Sequence, residues 1–239
     1  MRTIDFTVTR PIGSLLIHAL NNVGKSHILG SALALEKQAG PCLYAGMLGE
    51  PNATLGQFEL KDVEAVEFET VEDIVTFTAK AKPYQCIAID SLQRLSEMAS
   101  NKVTGGAYVV GAKEDHGRDW AKLKYEFFKP LMLLAAKCTL LLAVCPSNLH
   151  ENAITKQQRV VPDVPGVSEK VVGRFNFTGY LEAVVLGPTQ ISRQLHFQPR
   201  PDVVTRWNAP GKVEKPLPLP VGLSTWEIIK ARIELGLKG

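Results

Sequence analysis

The stretch Ala19-Leu20-Asn21-Asn22-Val23-Gly24-Lys25-Ser26 decides how this sequence is read. It follows the phosphate-loop pattern of a small residue, four others and then Gly-Lys-Ser, with Ala19 where glycine usually stands. A phosphate cradle needs inward-pointing backbone N–H groups, a helix N-terminus, a lysine and a hydroxyl that can ligate Mg²⁺. Here Gly24 permits close backbone approach, Lys25 reaches the outer phosphates and Ser26 offers the hydroxyl. Asn21, Asn22, Val23 and His27 supply the rest of the cradle. The context agrees: an apolar run over residues 14–19 precedes the loop, and a helical pattern over 25–38 follows, stopped by Gly40-Pro41.

Working outward, residues 42–46 read as a second strand, after which Glu50 follows in Tyr44-Ala45-Gly46-Met47-Leu48-Gly49-Glu50. A carboxylate there can orient and deprotonate an attacking water, or it is a solvated loop glutamate. Residues 84–89 form a compact apolar strand within Cys86-Ile87-Ala88-Ile89-Asp90-Ser91. Asp90 at its end can hold the Mg²⁺ shell beside the phosphate loop. It can also cap the helix expected over residues 91–100. Residues 139–144 are nearly all apolar, as in a strand buried on both faces, and run into Cys145-Pro146-Ser147-Asn148-Leu149-His150. Asn148 and His150 are candidate sensors of a terminal phosphate, against the alternative of ordinary loop polarity.

The remaining pattern alternates in the same way. Residues 63–68 suit a strand with one exposed face, and Thr70 with Asp73 forms a capping box for a helix through residue 81. Residues 101–117 and 151–165 read as long polar loops. A helix is expected over 118–137, kinked or divided by Pro130. Strand candidates follow at 181–186, 192–197 and 203–207, then an extended connector with Pro216, Pro218 and Pro220. Ser224 and Glu227 suggest a capping box for a helix over 225–235. Strands alternating with helices predict an α/β fold, a mainly parallel sheet flanked by helices with antiparallel strands added near the C-terminus. Residues 1–210 are expected to form the core, and 211–239 the connector and helix.

Composition constrains less. The 239 residues are 45% hydrophobic and 21% charged, which suits a globular chain with a sizeable core. No run approaches the ~18 apolar residues of a membrane span, and the first ten residues lack a signal-peptide block, so a cytosolic protein is expected. Cys42, Cys86, Cys138 and Cys145 form no metal-ligand spacing and are expected to be buried, reduced thiols. A net charge of +3 permits a nucleic-acid partner without arguing for one.

The order of phosphate loop, Glu50 after the next strand, Ile89-Asp90-Ser91 and a polar-ended strand resembles the RecA-like P-loop ATPases. Among them it is most similar to the compact phage proteins of the fourth Sak group, single-strand annealing ATPases, over residues 14–207. The resemblance implies ATP and Mg²⁺ as cofactors. Lys25 and Glu50 then act in catalysis, and Ser26 and Asp90 bind the metal. It also implies a homo-oligomeric ring or filament in the host cytoplasm, working on single-stranded DNA and alongside a single-strand-binding protein. Relatives complete the site from a neighbouring subunit with a Lys/Arg pair; Val204-Thr205-Arg206 offers only Arg206. Their DNA contacts come from two loops. The matching segments are 101–117, with Lys102 and Lys113, and 151–170, with Lys156, Arg159 and Lys170. Tyr108 is the only Phe, Tyr or Trp in either segment, and Trp226 reads as a packing anchor.

Two functions from different classes follow. One is a DNA-dependent ATPase that promotes annealing or recombination. The other is a nucleotide switch in a protein assembly, without DNA. A small-molecule kinase ranks last, because no Arg-rich lid is evident.

Overall fold

A computed structural model describes residues 13–50, 53–106, 119–151, 156–187, 190–198, 200–213, 215–220 and 224–238. Along the chain these form β1 (Ser14–Ala19), α1 (Lys25–Glu36), β2 (Cys42–Met47), a 3-10 turn (Ala53–Gln57), β3 (Glu64–Phe68), α2 (Val71–Lys80) and β4 (Tyr84–Asp90). Then come α3 (Leu92–Thr104), α4 (Asp119–Ala135), β5 (Cys138–Glu151), β6 (Gln158–Pro162), α5 (Ser168–Val172) and β7 (Phe177–Gly187). The remainder is β8 (Gln190–His196), β9 (Arg206–Trp207), β10 (Leu217–Leu219) and α6 (Ser224–Leu237).

The fold is α/β. One mixed sheet runs in the order β10-β8-β7-β1-β5-β4-β2-β3, parallel from β7 to β3. Strands β8, β9 and β10 add antiparallel pairings beside β7. The central strands are apolar on both faces because helices cover both. Alternation then assigns each residue to one of two cores. Leu15, Ile17, Cys86, Ala88, Leu140, Leu142 and Val144 face α1 and α6. Leu16, Ile87, Ile89, Leu141, Ala143 and Cys145 face α2, α3, α4 and α5. Cys42, Cys86 and Cys145 are buried and all four thiols are free. Among the described residues, no helix is long and apolar enough to cross a membrane.

The capping box of α2 forms as expected, with Thr70 and Asp73 exchanging side-chain and backbone bonds. Four expectations need correction. Helix α3 runs on through residues 101–104 before Gly105 ends it at φ 63, so Lys102 lies on a helix. The rest of that segment, with Tyr108 and Lys113, falls outside the described residues. Helix α4 passes Pro130 without dividing, because its apolar face, Pro130 included, is buried beside α2 and α3. That burial outweighs the missing N–H bond. The expected loop over 151–165 instead holds β6, which pairs antiparallel with the outer part of β5, residues 147–151. The proline connector pairs too: Leu217–Leu219 lies along β8 as an edge strand, where a proline is tolerated.

Helix α6 closes against α1. Trp226 is fully buried; its backbone N–H donates to Ser31 Oγ at 2.9 Å and its indole to Glu36 Oε1 at 2.8 Å. Lys230 Nζ donates to the same oxygen at 2.7 Å and Gln85 Nε2 to Glu36 Oε2 at 3.0 Å.

Candidate functional site

The carboxyl ends of β1, β2 and β4 open on one edge of the sheet, the edge at which such folds leave a crevice. The loop between β1 and α1 turns through two left-handed residues, Asn22 at φ 62 and Gly24 at φ 107. Gly24 is needed for that φ, and a Cβ there would also stand 3.1 Å from Arg193 Cζ. Ala19 is ordinary strand, paired to Pro146 and Leu181 and fully buried, so the absence of glycine there has no conformational consequence. Val23 packs into the core below the loop, while Asn21 and Asn22 are exposed. His27 is buried edge-on to Phe58 at 4.9 Å, which turns its ring into the protein. The first bond of α1 runs from Ile28 N–H to the Gly24 carbonyl. The N–H groups of Lys25 and Ser26, in the first turn, point out of the helix, a ready anion-binding end.

Five side chains converge on this end. Ser26 Oγ donates to Asp90 Oδ2 at 3.1 Å, joining the loop to the end of β4. Ser91 Oγ donates to Glu50 Oε1 at 2.5 Å, joining β4 to the turn after β2. Lys25 Nζ folds over the loop onto the carbonyls of Ala19 at 3.4 Å and Leu20 at 3.1 Å. The Asp90–Ser91 peptide is cis. Glu50 also lies 3.9 Å from Arg94 Nε, whose main partner is Glu97.

The charges act on one another. Burial, and then the charge of Glu50, push the Asp90 carboxyl up to about 6, against bonds from Ser26 and Tyr44 and the charge of Lys25. Burial lowers the Lys25 ammonium, with Asp90 and Glu50 opposing the shift. Desolvation and the same two carboxylates raise the Tyr44 hydroxyl. Among the described residues there is no group of three or more His, Cys, Asp or Glu able to enclose a metal. A hydroxyl and one or two carboxylates suit Mg²⁺ of the kind whose shell is completed by water and substrate phosphate.

The expected sensors lie on the outer part of β5, which continues beyond the carboxyl ends of its neighbours β1 and β4. Asn148 and His150 are exposed on the β5–β6 hairpin, opposite Val161 and Arg159. Asn148 bonds Asp163, which also accepts from Gln93 Nε2 at 2.8 Å. The hairpin meets β1 through His18 instead. Its Nδ1 lies 2.9 Å from Ser147 Oγ and its Nε2 2.7 Å from the Val204 carbonyl, and burial lowers its pKa to about 4. A neutral imidazole thus clamps the hairpin and the segment before β9 to the strand that carries the loop.

The expected cations are dispersed. Arg206 donates to the Gly173 carbonyl at 2.9 Å. Lys102 is neutralised by Glu72 and Glu126, at 2.5 and 2.7 Å, and Lys156 pairs with Glu151 at 3.2 Å. Arg159 lies on β6. Lys170, on α5, lies beside Lys124 of α4. The side chain missed in the sequence is Arg193 on β8, whose guanidinium lies against Gly24. A single basic residue in a polar strand carries no motif, so only the pairing of β8 with β7 brings it to the loop. Tyr44 and the His18–Ser147 pair were likewise unmarked by spacing. Compared with protein-family models and with curated proteins, the chain matches none, so the site stands on its own geometry.

Proposed function

We propose that this chain binds Mg²⁺–ATP on the loop between β1 and α1 and hydrolyses it as a RecA-like P-loop ATPase, with single-stranded DNA as its partner. The observation that carries the reading is the Ser26–Asp90 bond, which sets a hydroxyl and a carboxylate together beside a helix N-terminus and Lys25. Bound Mg²⁺ would neutralise the outer phosphates. Lys25 leaves the loop carbonyls for the phosphate oxygens, and the N–H groups of Lys25 and Ser26 at the start of α1 hold the rest of the chain of phosphates. Arg193 adds a second cation from within the same subunit. Glu50 is the base: Ser91 fixes one oxygen, and the other accepts the proton of the attacking water as ADP departs. Closing the crevice around these groups places them in a low dielectric, where their charges act most strongly.

The nucleotide-switch reading without DNA has one observation in its favour: Lys102 and Lys156, both assigned to strand contacts, are already ion-paired. Turnover measured with and without single-stranded DNA separates the two readings. Lys25→Ala should abolish nucleotide binding and leave the fold intact, as read by a fluorescent ATP analogue and circular dichroism. Unchanged affinity in that variant would sink the site assignment.

A further inference from the structure

Outside this site, the outer face of α4 carries a cluster of cations that, among the described residues, has no compensating carboxylate within it. Residues 124, 128 and 132 repeat at i, i+4 and i+8, with 125 and 129 alongside, so they share one face roughly 12 Å long. Together with Arg174, just after α5, they line a groove of about 570 Å³ formed by Lys124, Tyr125, Phe128, Lys129 and Met132. Its floor is apolar and aromatic. Tyr125 is 60% exposed and Met132 58%.

Several cations elsewhere are held in ion pairs. Lys37, Lys82, Lys102, Lys122, Lys156, Lys230, Arg94 and Arg200 each have a carboxylate partner. In the groove, Lys129 lies over the Tyr125 ring at 5.5 Å and Arg174 over the Phe128 ring at 5.0 Å. A ring face orients a cation without cancelling its charge. Lys170 lies within hydrogen-bonding reach of Lys124, and that contact, then its charge, lower the Lys124 ammonium. The acids of α4 serve other lysines: Asp119 pairs with Lys122 and Glu126 with Lys102. Among the described residues, no carboxylate lines the groove.

We propose that this groove binds single-stranded nucleic acid, with Lys124, Lys129, Lys170 and Arg174 on the phosphates and Tyr125 stacking on a base. Cations tracking a backbone beside an exposed aromatic ring are what an unpaired strand requires. A duplex keeps its base faces in the stack and cannot use the ring. A second copy meeting this face through a two-fold axis would bring the same four cations against themselves. Only the class of partner is taken from the proposed function. The groove is independent of the nucleotide chemistry, and it moves the strand contact from the loops to α4.

The test is fluorescence anisotropy of a labelled oligothymidylate with the full chain, without nucleotide, over a salt series, with heparin as a polyanion that lacks bases. Lys124→Ala with Arg174→Ala should weaken strand binding about tenfold or more. It should also reduce the slope of log K against log salt by roughly 1.4, near 0.7 for each phosphate no longer neutralised. Tyr125→Ala should weaken the strand about tenfold, leave heparin unchanged and keep the melting temperature, and Tyr125→Phe should restore binding. If wild type binds the strand and the groove variants bind equally well, the groove is wrong and the strand-binding reading stands. Equal loss on strand and heparin with Tyr125→Ala would overturn the stacking role and reduce the surface to a general polyanion site. If wild type binds no strand at all, both fall. Altered self-association in the variants with intact strand binding would mark the face as a contact between copies and overturn the proposal.

Discussion

Glu36 and Asp90 are both buried carboxylates at the sheet, and their surroundings drive them in opposite directions. Burial pushes Glu36 up, but bonds from Gln85, Lys230 and Trp226 outweigh it, so its carboxyl is held below the usual range. Burial also pushes Asp90 up, and Glu50 adds to the push; Ser26, Lys25 and Tyr44 compensate only in part, leaving it at about 6. One carboxylate is surrounded by donors and locks α6 to α1. The other shares its crevice with a second acid and is left with a demand for positive charge. The difference separates an anion that holds the structure together from one that, on the proposed function, takes a ligand.

The largest effect expected is at the satisfied end. Trp226→Ala empties a fully buried site and removes a donor from Glu36, so it should cost roughly 3–5 kcal/mol in chemical denaturation. A loss below 1 kcal/mol would show that α6 adds little to the core.

Next come the two isosteric amides, whose effects should differ in sign. The folded pKa of Asp90 lies above its unfolded value of 3.8, so ionisation costs stability. The cost is absent below the unfolded value, grows through pH 4–6 and is complete above 6. In EDTA at neutral pH, Asp90→Asn should therefore raise stability, by up to about 3 kcal/mol if the shift of about two pH units is fully recovered. Glu36 is the reverse case. Its depressed pKa contributes stability above the unfolded value of 4.5, lost as pH falls through the folded value. Glu36→Gln should cost about 2 kcal/mol at neutral pH, an effect that fades in acid. Changes of the same sign in the two variants would erase the contrast.

The smallest signal is a proton. If Asp90 ligates Mg²⁺, binding of the Mg²⁺–nucleotide complex must displace the proton that Asp90 holds below about pH 6. Affinity should climb as pH rises toward that value and level off beyond it. Calorimetry in two buffers of different ionisation enthalpy should find proton release at acid pH and almost none well above 6. Identical proton counts at both ends would separate Asp90 from the metal.

Much of this was legible in the sequence. The central strands were readable because apolar runs between turn signals depend on local pattern, and Gly24-Lys25-Ser26 with Asp90 was readable because each motif fixes its own backbone context. What remained hidden depends on distant partners. The strand character of residues 158–162 exists because the outer part of β5 offers an edge to pair with, and that of Leu217–Leu219 because β8 does. The fate of Lys102 was set by Glu72 and Glu126, acids on two other helices. Arg193 reaches Gly24 only through the pairing of β8 with β7. The α4 groove left no mark, because cations spaced along an amphipathic helix read as its ordinary solvated face until α5 sets Lys170 and Arg174 beside them.

The Trp226–Glu36 contact joins residues 190 positions apart, and this sets a schedule for biosynthesis. The ribosome delivers α1 early and its cover late. At ~5–20 residues per second the interval is roughly 10–40 s, long against the microseconds in which a helix forms. Throughout that time the part of this apolar face that α6 covers stays open. Helix α6 is thus the step that closes this face of the growing chain.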